Sequence, residues 1–256
     1  MKKVLGHMRT ICEAHHMIKN GDKIAIGLSG GKDSMLLLYA MQLYKQYMKQ
    51  DFSLMALTVD VGFPGFDAAG IAAYAQTLEI PHETIHTNIA EVVFDIRKEK
   101  NPCALCSKMR KGALYERANA LGFNKVAYAH NLEDALETLL LSLVYEGKLS
   151  TFAPVSYLSR RNITLIRPFG SLPEKAIIGA VNRLNIPIYK NPCPVDGHTK
   201  RVRAREWINL FLQSNPDAKK SMFSALKTAG KYYIWGLPAG INAFSEEAKE
   251  QPGKSE

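Results

Sequence analysis

A chain of 256 residues with 46% hydrophobic and 22% charged side chains has the composition of a soluble globular protein, one large domain with at most a small appendage. Lysine and arginine exceed aspartate and glutamate by 33 − 24 = 9, which favours a polyanionic partner, nucleic acid first. No apolar run nears the ~20 residues of a membrane span, and Met1–His7 lacks the apolar stretch of a secretion signal, so the expected compartment is the cytoplasm, with no membrane partner.

Apolar runs of strand length alternate with longer amphipathic stretches, and this predicts a parallel sheet covered by helices. In chain order, residues 5–19 read as a leading helix, Lys23–Leu28 as a buried strand and Lys32–Met48 as a helix. Ser53–Asp60 is the next strand, Asp67–Glu79 a helix and His82–His86 a short strand. Leu105–Leu121 reads as helical, Lys125–Ala129 as a strand, Glu133–Tyr145 as a helix, Ile163–Arg167 as extended and Glu174–Leu184 as a helix. Beyond Cys193 the chain turns basic: Thr199–Phe211 and Pro216–Thr228 read as two helices packed on the core, and Ser245–Glu256 as a polar tail. Four cysteines (Cys12, Cys103, Cys106, Cys193) in a reducing compartment point to metal or redox chemistry rather than to structural disulfides.

The first strand runs through Leu28 into Ser29-Gly30-Gly31-Lys32-Asp33-Ser34, where a helix begins. Such a segment is an anion cradle: the glycines let backbone N–H groups face a phosphate, and the new helix turns its positive end to the same place. Lys32 adds a cation, and Ser29 and Ser34 add hydroxyl donors. A Walker loop requires glycine where Ile26 stands and Ser or Thr where Asp33 stands, and the dinucleotide spacing G-x-G-x-x-G fails as well. A ligand-free strand-to-helix turn is the plain competing reading. The six residues resemble the signature of the PP-loop ATP pyrophosphatases. The resemblance implies that pyrophosphate is cradled here, that AMP passes to an acceptor oxygen, and that Asp33 helps to hold Mg²⁺.

Cys103 and Cys106 form a C-x-x-C pair in Asn101-Pro102-Cys103-Ala104-Leu105-Cys106, and Cys193 lies in Asn191-Pro192-Cys193-Pro194. A structural zinc site closes with four ligands, whereas a [4Fe–4S] cluster held by three leaves one iron open. His198 could complete a Cys₃His zinc site, and a redox pair or cysteines that hold no metal would also have this spacing. Cys12, on the leading helix, reads as a small buried apolar residue.

Together these motifs resemble the tRNA 2-thiocytidine synthetase group of the PP-loop superfamily, over about residues 8–213. The matching segments include Pro64-Gly65-Phe66, Arg110-Lys111-Gly112, Ala129-His130-Asn131-Leu132-Glu133-Asp134, Tyr145-Glu146-Gly147-Lys148 and Ile166-Arg167-Pro168. The chain departs from the group's Gly-His-x-x-Asp-Asp motif at Ala129 and Glu133, and it lacks the paired C-x-x-C zinc modules of related thiouridine synthetases. The implied fold is α/β, an open parallel sheet of the HUP, adenine nucleotide α-hydrolase-like type, with helices on both faces and a small C-terminal helical extension. The expected division is 1–20 leading helix, 21–195 PP-loop domain, and 196–256 basic extension with a frayed tail.

By the same resemblance, Cys103, Cys106 and Cys193 hold a [4Fe–4S] cluster whose open iron carries the sulfur to be transferred. The expected reaction is adenylation of the C2 oxygen of an anticodon-loop cytidine at position 32, then its replacement by sulfur to give 2-thiocytidine. Converting a poor leaving group into a phosphate ester splits one hard step into two easier ones. The expected ATP contacts are Leu28, Ser29, Gly30, Gly31, Lys32, Asp33, Ser34, Asp60 and His130, with adenine near Asp60 and Val61. Lys32 and Mg²⁺ neutralise the departing pyrophosphate, and Glu133 and Asp134 coordinate metal or position the acceptor, unless they only cap a helix. Lys108, Arg110, Lys111, Arg201 and Arg203 are the expected RNA contacts, against a plain reading as solvated charge. Expected partners are tRNA, a sulfur donor such as a cysteine desulfurase, and a second copy in a homodimer. Two further functions stay open: the same chemistry on another nucleoside or small molecule, and an adenylating amide ligase or lysidine-type synthetase with structural zinc. A non-enzymatic nucleotide-binding regulator is the fourth.

Overall fold

The computed structural model describes residues 1–48, 50–99, 101–195 and 200–228. Its helices are α1 (Lys2–Ala14), α2 (Lys32–Tyr47), α3 (Ala68–Thr77), α4 (Pro102–Ala120), α5 (Leu132–Glu146), α6 (Glu174–Leu184), α7 (Lys200–Ser214) and α8 (Ala218–Thr228). Its strands are β1 (Asp22–Gly27), β2 (Phe52–Asp60), β3 (His82–His86), β4 (Lys125–Ala127), β5 (Val155–Leu158) and β6 (Ile163–Ile166), in the spatial order β3-β2-β1-β4-β6-β5. The polar tail expected over Ser245–Glu256 lies outside the described residues, as does His198.

The central strands are short and apolar because both faces are covered. Ile24 and Ile26 of β1 pack with Met35, Leu36, Phe169 and Ile177 on one face, while Ala25 meets Leu114, Tyr115 and Val126 on the other. Helices α1, α2 and α6 contribute to the first layer and α4 to the second. A third cluster joins Leu132, Leu136 and Leu140 of α5 to Ala204 and Ile208 of α7, with Met222 and Phe223 of α8 against it. At the lower end of the sheet, Lys125 Nζ meets Asp22 Oδ2 at 2.6 Å, both side chains under a tenth exposed.

Four differences from the sequence reading have local causes. The leading helix ends at Ala14 because His16 adopts a left-handed φ of 47° and turns the chain back to bury Met17 and Ile18. The fourth helix starts at Pro102 rather than Leu105, with proline in the first turn where its missing N–H costs no hydrogen bond. The sheet is not wholly parallel: β5 runs antiparallel to β6, joined by the single turn Ser159–Arg161 and Asn162 at φ 49°. Glu91–Ile96 forms a π-helical turn where no element was expected.

From β1 the chain steps outward through β2 to β3, then crosses back to place β4 on the other side of β1. The connections after β1 and β4 therefore leave in opposite directions, and a crevice opens at their carboxyl ends.

Candidate active site

A cleft of about 300 Å³ occupies that crevice. Gly27, Leu28, Ser29, Asp33 and Ser34 line it from the first strand and its loop, Leu57 and Val59 from β2, and Tyr128, Ala129, His130 and Asp134 from the segment after β4. Helix α4 closes it with Ser107, Arg110, Lys111 and Leu114.

The loop is tightly built. Ser34 Oγ donates to Gly31 O at 3.0 Å and accepts from Ser29 N at 3.2 Å. Gly31, at the N-cap of α2, supplies no side-chain cap, so the first-turn N–H groups remain for an anion. Gly30 has φ +82°, and a Cβ there would stand 2.9 Å from Ile71 Cδ1 and 3.0 Å from Tyr189 Cβ. Tyr189 crosses the loop from above and donates its N–H to Gly30 O at 2.9 Å. Four residues on, the same strap carries Cys193.

Lys32 Nζ lies 2.8 Å from Asp33 Oδ2 and 2.8 Å from Glu174 Oε1. Burial alone would lower the Lys32 pKa; its hydrogen bonds to these two carboxylates outweigh that and raise it. Asp33 Oδ1 accepts from Asn131 Nδ2 at 3.2 Å. One carboxylate beside the phosphate cradle, with its neighbouring amide as a second tie, is a donor set suited to Mg²⁺ with bound phosphates completing the shell.

The two acids at the start of α5 separate. Asp134 faces the cleft and closes a capping box with Asn131. Burial pushes its pKa up to about 6, opposed by the Asn131 backbone bond and Arg201 and reinforced by Glu137 and Asp33. Glu133 does not join it. Its buried carboxylate accepts the Glu174 N–H at 2.8 Å and meets Lys219 Nζ at 3.2 Å, so it caps α6 instead of facing the nucleotide side. The helical step of 100° between neighbours turns the two side chains apart.

His130 lines the cleft with its ring tilted against Tyr128 and Phe152. Burial, then the cations of Arg167, Arg201 and Lys111, hold its pKa down at about 3, so it is neutral at physiological pH, and its Nδ1 is buried without a hydrogen-bond partner among the described residues.

Cys103 and Cys106 sit in the first two turns of α4, three apart and so on one face. Burial is the main cause of a raised Cys106 pKa; Arg110 opposes it, and the Cys193 and Cys103 thiols add to it. The three sulfurs are thus electrostatic neighbours, although Cys193 is distant in sequence. Among the described residues no three His, Cys, Asp or Glu side chains close around a single ion. Three neighbouring thiols drawn from two distant segments are a soft donor set that fits a metal–sulfur centre. Cys106 also borders an apolar group of Val61, Ile89 and Val93, with Phe63 and Phe94 edge to face beside it. Such a shell excludes water from a metal centre. Cys12 is buried apart, its thiol pushed up to about 12.

Of the basic residues, Arg110 and Lys111 enter the cleft, and burial with the charges of Arg167 and Arg201 lowers the Lys111 pKa. Lys108 stays exposed on α4. Arg201 turns to Asp134 and Glu137, at 3.4 and 3.5 Å, and Arg205 to Glu137 at 2.9 Å, so one face of α7 pins α5 while Arg203 faces solvent. Asp60 does not line the cleft: its carboxylate accepts from Gly62 N and meets His86 Nδ1 at 3.2 Å, and Val61 is buried elsewhere, so Leu57 and Val59 form the β2 wall. Glu174, Tyr128, Ser107 and Tyr189 went unrecognised in sequence because only the fold brings them to the loop. Arg167, within the quoted Ile166-Arg167-Pro168, is buried, donates to Ala153 O and Ser156 Oγ, and meets no carboxylate among the described residues.

The PP-loop domain family model matches residues 5–210. A tRNA-cytidine(32) 2-sulfurtransferase from Pelobacter propionicus is 34% identical over 213 residues, covering 82% of this chain and 79% of that protein. One from Coxiella burnetii is 30% identical over 233 residues, covering 88% and 89%. Among solved structures, the U34-tRNA thiolase NcsA from Methanococcus maripaludis with its [4Fe-4S] cluster superposes with a TM-score of 0.73 at 22% identity, over 94% of this chain and 83% of that one, and so shares the fold. The chain belongs to the PP-loop family and, within it, to the tRNA-cytidine(32) 2-sulfurtransferase family.

Proposed function

We propose that the protein is an ATP-dependent tRNA sulfurtransferase that adenylates the C2 oxygen of cytidine 32 and replaces it with sulfur, giving 2-thiocytidine. One observation carries the reading: the phosphate loop and the cysteine-bearing helix α4 face a single cleft. Family membership supports the substrate, since the relatives are named for that reaction.

The pyrophosphate of ATP rests on the N–H groups at the start of α2, with the Ser29 and Ser34 hydroxyls beside it. Lys32, with Mg²⁺ held at Asp33, neutralises the charge that develops as the α-phosphate passes to the acceptor oxygen and pyrophosphate leaves. The nucleobase lies between Tyr128, His130 and α4. Neutral His130 offers a hydrogen bond without repelling the flanking cations, and Asp134, ionised above about pH 6, holds the acceptor. Arg110 and Lys111 neutralise the AMP that is later expelled, and Lys108, Arg203 and the outer face of α7 hold tRNA phosphates. Cys103, Cys106 and Cys193 would hold a [4Fe–4S] cluster, which when bound would carry the sulfur to be transferred. The sulfur comes from a separate donor such as a cysteine desulfurase, and the enzyme works as a cytoplasmic homodimer.

Nucleoside analysis of tRNA from cells lacking the gene tests the substrate: 2-thiocytidine should vanish and return with the wild-type gene but not with Cys193→Ala. Unchanged 2-thiocytidine would end the assignment. Anaerobically purified protein should be brown with about four irons per chain; colourless protein with one zinc would refute the cluster.

A further inference from the structure

Two carboxylates enclose the loop lysine, and only Asp33 belongs to the loop. The other comes from the first turn of α6, far along the chain: Glu174 Oε1 stands 2.8 Å from Lys32 Nζ, with their side chains 20% and 29% exposed. An ammonium has three N–H donors. Two are taken, by Asp33 and Glu174, so the third has a direction set by the other two. We propose that Glu174 is a positioning residue that aims Lys32 at the pyrophosphate and shares its ammonium with Asp33, and that Glu133 acts through Glu174.

The argument turns on what Lys32 would do alone. Its stem is long and flexible, and its sequence neighbour Asp33 is always within reach. With Glu174 gone, the ammonium has one carboxylate left. Asp33, already tied at Oδ1 by Asn131 and at Oδ2 by Lys32, would then hold the ammonium unshared and compete poorly for Mg²⁺. Glu174 divides the ammonium between two acids and leaves Asp33 exchangeable.

Glu174 is itself held by the surrounding charges. Pro173, at the N-cap of α6, has no side-chain cap to offer. Buried Glu133 fills that role, taking the Glu174 N–H at 2.8 Å, and is balanced by Lys219 of α8 at 3.2 Å. Positive and negative groups alternate from Lys219 through Glu133, the α6 N-terminus and Glu174 to Lys32. The acid that sequence placed at the chemistry therefore reaches it at one remove.

The inference rests on residues 29–34 being a pyrophosphate cradle, and its test is pyrophosphate binding by calorimetry over a series of Mg²⁺ concentrations. Glu174→Gln keeps shape and one acceptor oxygen but loses the charge. Affinity at limiting Mg²⁺ should fall about tenfold, the worth of one charge-assisted hydrogen bond, and half-maximal binding should need several-fold more Mg²⁺. Glu133→Ala should show the same Mg²⁺ signature more weakly, with little further loss when combined with Glu174→Gln. Should Glu133→Ala not fold, Glu174→Gln decides alone. A Glu174→Gln protein with wild-type Mg²⁺ dependence, whatever its melting temperature, or with tighter pyrophosphate binding, overturns the proposal. Wild-type protein that binds no Mg²⁺-pyrophosphate would instead overturn the cradle itself.

Discussion

Asp134→Asn should make the protein more stable and less active. Asp134 has a quarter of its side chain exposed, and its carboxyl is held near 6 by burial where an ordinary aspartate titrates at 3.8. An acid whose folded pKa is raised favours the fold below the unfolded pKa, and that advantage is lost as pH rises through the folded value. Ionised at pH 7, Asp134 therefore costs the fold about 3 kcal/mol relative to a group without the shift. Asparagine keeps the oxygen that accepts the Asn131 N–H but sheds the charge. The half-exposed Arg201 pair that it gives up is already counted in that shift. The net gain should be about 3 kcal/mol at pH 7 and near zero at pH 4. Urea unfolding of both proteins across that range measures it, with the gap opening between pH 4 and 6 and then levelling. An acid present only to cap α5 predicts the reverse, a loss of about 0.5–1 kcal/mol at neutral pH. A destabilised variant, or a gap that ignores pH, would refute the reasoning. Thiolation by the same variant should fall by at least about a hundredfold if the charge positions the acceptor.

Gly30→Ala should cost about 2–5 kcal/mol, the sum of a left-handed alanine and overpacking against Ile71 and Tyr189, and should abolish nucleotide binding in equilibrium dialysis. Cys193→Ala should remove iron while ATP still binds by calorimetry; retained iron would show that the third ligand lies elsewhere. Lys125→Met should lower stability by about 3–5 kcal/mol in urea at pH 7 by stranding buried Asp22. Although burial alone would raise the Asp22 pKa, Lys125 and Asn124 bring it below its ordinary value, so the stability it lends is present above pH 3.8 and lost as pH falls further, and the two proteins should converge there.

What could be read in sequence depended on how local its cause was. The strand before the loop was legible because Ile24, Ala25 and Ile26 are buried on both faces and leave an unbroken apolar run. The loop was legible because its glycines and Lys32 are contiguous. β5 escaped because Val155–Leu158 is a half-buried edge with no such run, and its direction is set by the turn that follows it. Helix α4 began early because Pro102 reads as a breaker unless its first-turn position is known. Glu133 was placed at the chemistry because adjacency in sequence says nothing about helical phase. Arg110 and Lys111 were recognised as basic, yet their shared cleft with Ser29 and Asp134 comes from the sheet's reversal between β1 and β4.

The strap across the phosphate loop also bears on how the protein is made. Gly30 leaves the ribosome early, but the residue that seats it, Tyr189, is synthesised 189 − 30 = 159 residues later. At ordinary elongation rates the nascent chain spends roughly 10–30 s with an incomplete nucleotide site. The loop is seated only four residues before Cys193 is added, so the strap over the phosphate cradle and the third cysteine reach the fold almost together.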